Sequence, residues 1–221
     1  MLKNELGRIP MTEKPILFSG EMVRAILEGR KTQTRRVVNP QPWMDATRCE
    51  TYHDSRTGNT GVCFFQNNLA IGDANVLSPY GHSGDLLWVR ETWAQLCEAD
   101  ELTGDCDVAY RADDWPEDEP GPDYIKGTWR PSIFMPRWAS RITLELTGII
   151  VERVQDITDD GAIEEGVNRA NTSIPGYAST RFAKLWDSIN AKRGFPWSSN
   201  PWVWVVSFRV VAPQHSFAAD H

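Results

Sequence analysis

A helical period and a strand period meet at one glycine, and that junction constrains the chain more than any other feature. Met22, Val23, Ile26 and Leu27 recur at helical spacing. Ser19 precedes them as an N-cap, Glu21 sits in the first turn, and Gly29 follows at the C′ position. A strand begins at once and runs from Lys31 to Val38. Thr32, Thr34, Arg36 and Val38 share one of its faces, and Lys31, Gln33 and Arg35 share the other.

The rest of the chain reads as further strands with few helices. Gly84-Asp85 marks a turn into a strand from Leu86 to Arg90. Ile142, Leu144 and Leu146 alternate with Thr143, Glu145 and Thr147, which predicts a long strand to about Val154, with Gly148 as a bulge or corner. Thr158 caps a short helix over residues 159–165, stopped by Gly166. Phe182, Leu185, Trp186 and Ile189 mark an amphipathic helix, and residues 202–211 form an aromatic, β-branched strand. Residues 39–83 and 98–128 read as loop-rich insertions, the first with a hairpin around Gly58 to Phe65. Residues 1–14 read as an arm and 212–221 as a tail around a single domain at 15–211. The element order does not alternate βαβ. It predicts an α+β fold, a mixed and largely antiparallel β-barrel flanked by short helices.

Composition narrows the function classes. Hydrophobic residues make up 41% of the chain, enough for a core. Met1 to Pro10 hold no apolar signal region, and no apolar run approaches the roughly 18 residues that span a bilayer. The expected location is cytoplasmic, with no membrane partner. Cys49, Cys63, Cys97 and Cys106 lack C-x-x-C spacing, and the histidines are scattered, so neither a metal site nor a cofactor is expected. Net charge is −7, which argues against a strong non-specific nucleic-acid binder. The charge is uneven, however. Residues 1–43 carry eight Lys/Arg against four Asp/Glu, while residues 95–123 carry one Arg against eleven Asp/Glu.

The densest chemistry lies in Gly29-Arg30-Lys31-Thr32-Gln33-Thr34-Arg35-Arg36. Two readings of it stay open. A lysine desolvated beside other cations has a lowered pKa and acts as a base, and a threonine hydroxyl within its reach becomes a nucleophile. The same residues also suit a basic surface strand or a phosphate-binding edge.

The pattern Gly29-x-Lys31-Thr32-x-Thr34-x-Arg36, after a helix that begins just past Pro15-Ile16-Leu17-Phe18, resembles the signature of the ASCH domain family, whose members share a PUA-like barrel. Gly84-Asp85, Ala162-x-x-Glu165-Gly166 and the strand at 202–211 resemble further elements of that family. The two insertions, with Leu87-Trp88-Val89-Arg90-Glu91-Thr92-Trp93 and residues 129–141, look like the longer members found in bacteriophage and prophage genomes. Small bacterial members are amidohydrolases that remove the acyl group of N4-acetylcytidine. That resemblance implies Lys31 as base, Thr34 as nucleophile and Glu165 as proton shuttle. Other relatives bind or cleave RNA, which leaves a non-catalytic module for RNA or a modified base as the alternative.

Tryptophan and arginine cluster in the segments beside this signature. Trp88 and Arg90 share a strand face, Trp93 follows, and Arg137-Trp138-x-x-Arg141 interleaves the two types again. Aromatic planes stack bases and arginines contact phosphates, so Arg36, Trp88, Arg90, Trp93, Arg137 and Arg141 are the expected binding set for a modified nucleoside, RNA or single-stranded nucleic acid. Barrel packing under surface arginines accounts for the same residues.

Overall fold

The computed structural model describes residues 11–42, 46–54, 58–66, 69–71, 76–95, 108–113, 129–168 and 174–211. Most of the expected acidic excursion at 98–128, most of the arm and all of the tail lie outside the described residues. The elements are β1 (Glu13–Leu17), α1 (Gly20–Leu27), β2 (Gln33–Val37), β3 (Arg48–His53), β4 (Thr60–Gln66), β5 (Leu69–Ala70), β6 (Val76–Leu77), β7 (Leu86–Arg90), β8 (Trp93–Gln95), β9 (Val108–Tyr110), β10 (Thr143–Arg153), α2 (Asp159–Glu164), α3 (Tyr177–Asn190) and β11 (Trp202–Val211). The fold is mixed α+β, mostly sheet with few helices.

The chain resolves into two compact units, each assembled from three segments. The first holds Met1–Thr12, Arg30–Leu86 and Glu145–Arg209, and the second holds Glu13–Gly29, Leu87–Leu144 and Val210–His221. The sequence predicted one domain over 15–211. Among the described strands, β2 pairs with β11 and β1 pairs with β7, and β2 does not pair back to β1. The expected closed barrel is therefore corrected to open sheet. β2 stops at Val37, and Pro40 soon after it has no N–H with which to extend a ladder.

In the first unit, β11 pairs antiparallel with β2, from Val203 opposite Val37 to Ser207 opposite Gln33. Trp202 through Val206 are all buried, so this strand is covered on both faces, which explains its continuous run of tryptophan and valine. One face carries Val203 and Val205, and these pack with Phe182 and Trp186 of α3 and Ala162 of α2. β10 runs uninterrupted through Gly148, where the sequence suggested a bulge. β3 and β4 form a hairpin longer than the one predicted around Gly58 to Phe65.

The Gly-Asp turn is built around a buried carboxylate in the same unit. Asp85 accepts hydrogen bonds from Thr12 N at 2.7 Å and from His82 N at 3.1 Å, and its Oδ2 lies 2.6 Å from His82 Nδ1. Gly81 has φ +105°, and a Cβ there would lie 2.2 Å from Asp85 Oδ2. Only glycine fits this approach. Burial pushes the Asp85 carboxyl up, but hydrogen bonds from Thr12 and His82 outweigh it and hold the group below its ordinary value.

In the second unit, α1 buries Val23, Ala25 and Ile26. Ser19 takes the extended N-cap conformation without a side-chain cap bond, and Gly29 follows the helix at φ +72° as expected. Phe18 N donates to Arg90 O at 3.1 Å, and Val89 N donates to Ile142 O at 2.9 Å. β8 and β9 form a short hairpin over a core of Trp93, Met135 and Ala139.

Among the described residues, no helix is long and apolar enough to cross a membrane.

Candidate functional site

Lys31 does not enter the pleat of β2. It forms an isolated antiparallel bridge with Glu165 just ahead of that strand. Neighbouring bonds fasten this bridge to the end of α2: Thr32 N donates to Glu164 O at 2.9 Å, and Arg30 Nη1 donates to Gly166 O at 2.9 Å. The Lys31 amine donates to Glu165 Oε2 at 2.7 Å, to Glu165 O at 2.8 Å and to Gln33 O at 2.9 Å. Lys31 is 1% exposed and Glu165 is 4% exposed, so the pair is dry. Burial holds the Lys31 ammonium below its ordinary pKa; Glu165 opposes that effect, and Arg36 and Arg35 add to it.

Glu165 is delivered by a capped helix. Thr158 Oγ1 accepts from Gly161 N at 3.1 Å, as its N-cap position predicts. Glu165 is the C-cap, and Gly166 at φ +92° ends the turn. The second oxygen of Glu165 meets Arg35, whose Nη1 lies 3.4 Å from Oε1. Arg35 is in turn held by Glu152 of β10, with Nε and Nη2 each 2.8 Å from Oε1, and by Gln33 Oε1 at 3.0 Å. Gly161 makes room for this guanidinium, since a Cβ there would lie 3.1 Å from Arg35 Nη2. The result is an alternating chain of charge, Lys31, Glu165, Arg35 and Glu152, buried at its first three members and half-buried at Glu152.

Thr34 and Arg36 leave β2 on the other face. Thr34 is buried opposite Val206, and Arg36 stands opposite Trp204. Burial lowers the Arg36 pKa; Tyr80 and Glu165 oppose this, and Arg193 adds to it, so these charges share one neighbourhood. The alternation that separates Thr34 from Arg35 does not bind Lys31, because Lys31 precedes the pleat. Sequence reasoning named Lys31, Thr34, Arg36 and Glu165 but missed Arg35 and Glu152. Arg35 was legible only as a residue sharing parity with Lys31. Glu152 lies inside the predicted strand, but no local pattern pairs it with Arg35, 117 positions away.

The remaining expected binding residues belong to the second unit. Trp88 and Arg90 share the half-buried face of β7; the Arg90 guanidinium lies 5.0 Å from the Trp88 ring centre, and that of Arg137 lies 5.9 Å from it. Arg90 Nε donates to Met135 O at 2.9 Å. Arg137 pairs with Glu13 at 2.6 Å. Two of the expected residues are engaged within the fold. Trp93 is 2% exposed in the core with Met135 and Ala139, so no ring face is open to a base. Arg141 forms a two-pronged pair with Glu91 at 3.0 and 3.1 Å and a second pair with Asp113 at 2.7 Å, so its charge is already neutralised. Glu91 is 1% exposed and needs that partner.

No family model matches the chain, and no curated protein matches it. Among solved structures, it is similar to protein EF3133 from Enterococcus faecalis, described under the family model DUF984, at 9% identity over 97% of this chain and 88% of that one, with a TM-score of 0.41.

Proposed function

We propose that this chain is an ASCH-type amidohydrolase that removes an acyl group from the exocyclic amine of a modified pyrimidine nucleoside such as N4-acetylcytidine. The observation that carries the reading is the dry Lys31–Glu165 pair at 2.7 Å, placed just ahead of the strand that bears Thr34. A desolvated lysine flanked by arginines gives up its proton more readily, which suits a base.

The chemistry follows from those roles. The neutral Lys31 amine takes the Thr34 hydroxyl proton as the oxygen attacks the acyl carbon. The tetrahedral oxyanion forms on the face that Arg36 shares with Thr34, where a guanidinium favours negative charge. The intermediate then collapses and the C–N bond breaks. Glu165 carries a proton from the Lys31 ammonium to the departing exocyclic amine. Water hydrolyses the Thr34 ester by the same route, releasing the carboxylic acid and restoring both side chains.

Incubation with N4-acetylcytidine tests this reading, with acetate and cytidine both measured through the reaction. Stoichiometric appearance of both is the expected result. Release of neither cytidine nor the matching carboxylic acid from N4-acetylcytidine and its N4-acylated homologues would overturn it.

A further inference from the structure

The proposed mechanism uses Lys31, Thr34, Arg36 and Glu165, yet Arg35 is bonded to three side chains within the same cluster. Its guanidinium meets Glu165, Glu152 and Gln33. Its side chain is 4% exposed, as is that of Glu165. An arginine placed only to stabilise the fold has no reason to compete with Lys31 for the same buried carboxylate. The division of that carboxylate suggests a purpose: Lys31 holds Oε2 and Arg35 holds Oε1.

A base must lose its proton before it acts. When the Lys31 ammonium releases a proton to water, the pair loses one positive charge and Glu165 remains an anion. A buried carboxylate whose sole partner has become neutral is strongly disfavoured. A carboxylate with a second cation already in place is not. We propose that Arg35 is a positioning residue, the standing counter-ion of Glu165, which holds that carboxylate in place beside the Lys31 amine while Lys31 cycles between ammonium and amine. Glu152 sets the strength of the effect, because it draws the Arg35 guanidinium from the far side.

The charged groups that face Lys31 define what the device responds to. They are Glu165 at the end of α2, Arg35 and Arg36 on β2, and Glu152 on β10 behind Arg35. Arg30, next in the chain, is turned to Gly166 O. The inference rests on the hydrolase reading for its purpose, but its test does not depend on turnover.

The test is the titration of the Lys31 amine, followed by side-chain 15N NMR in the full chain. Arg35→Gln removes the standing counter-ion and leaves Glu165 wholly to Lys31. The Lys31 midpoint then rises by about one pH unit, a roughly tenfold tighter hold on the proton. Arg35→Lys keeps a cation there and restores part of the shift. Glu152→Gln acts in the opposite direction, releasing Arg35 toward Glu165 and lowering the midpoint. An unchanged or lowered midpoint in Arg35→Gln overturns the proposal, even if that variant melts earlier, because stability loss alone is what a merely structural arginine predicts. Should Arg35→Gln fail to fold, Glu152→Gln decides: a lowered midpoint supports the proposal, and an unchanged or raised one overturns it. Absence of N4-acetylcytidine hydrolysis would sink the hydrolase reading alone, since the titration is read without substrate.

Discussion

Asp85 and Glu91 show how differently two buried carboxylates can be satisfied. Asp85 rests on Thr12 N and on the backbone and ring of His82, and its pKa is held down. A carboxylate with a depressed folded pKa contributes stability above its unfolded value of about 3.9, and that contribution is lost as pH falls through the folded pKa. Asp85→Asn should therefore be less stable than the parent at neutral pH, and the gap should close below about pH 4. Denaturant midpoints measured across that range check it. Glu91 relies instead on Arg141. Arg141→Ala leaves a buried carboxylate uncompensated and should cost about 3 kcal/mol. Thermal melting at neutral pH checks this, and the loss should shrink in acid as Glu91 takes up a proton. The sequence placed Arg141 among phosphate contacts because its partners, Glu91 and Asp113, lie 50 and 28 positions away in the chain. No local pattern announces such a pair.

At the scale of elements, local signals were read well wherever propensity, capping and burial agreed. The helix from Gly20 to Leu27 with Gly29 behind it, the capped α2, the amphipathic α3 and the buried β11 all stand where the periodicity put them. Closure of the sheet was not legible, because it depends on which strand edges meet rather than on any residue pattern. The start of β2 was misplaced by two residues, and that difference matters. It frees Lys31 from strand alternation and lets it bridge to Glu165. The bridge in turn depends on α2 keeping its short length and fixed ends. Thr158→Ala removes the N-cap bond to Gly161 and should cost about 1 kcal/mol. Because Glu165 is the opposite cap of a six-residue helix, the same change should also increase hydrogen exchange at Glu165 N, which donates to Gly161 O. Hydrogen–deuterium exchange of residues 159–167 measures it, with α3 as the internal reference.

At the scale of the whole molecule, the expected site residues fall in two compact units. The Lys31, Thr34, Arg36 and Glu165 set belongs to the first unit, and the Trp88, Arg90, Arg137 and Arg141 set belongs to the second. In the second set, Arg137 and Arg141 are already spent on Glu13, Glu91 and Asp113, and Arg90 donates to Met135 O. The first set joins a buried lysine to a carboxylate shared with Arg35, just ahead of the strand that bears the buried Thr34. The proposed hydrolysis needs Lys31 and Thr34 to act together on an acylated exocyclic amine. Its most direct test is acetate release from N4-acetylcytidine by the parent chain, Lys31→Ala and Thr34→Ala, each first shown to be folded by circular dichroism. The account predicts turnover by the parent and a loss of at least about 100-fold in each variant. Folded variants that release acetate at the parental rate would contradict it.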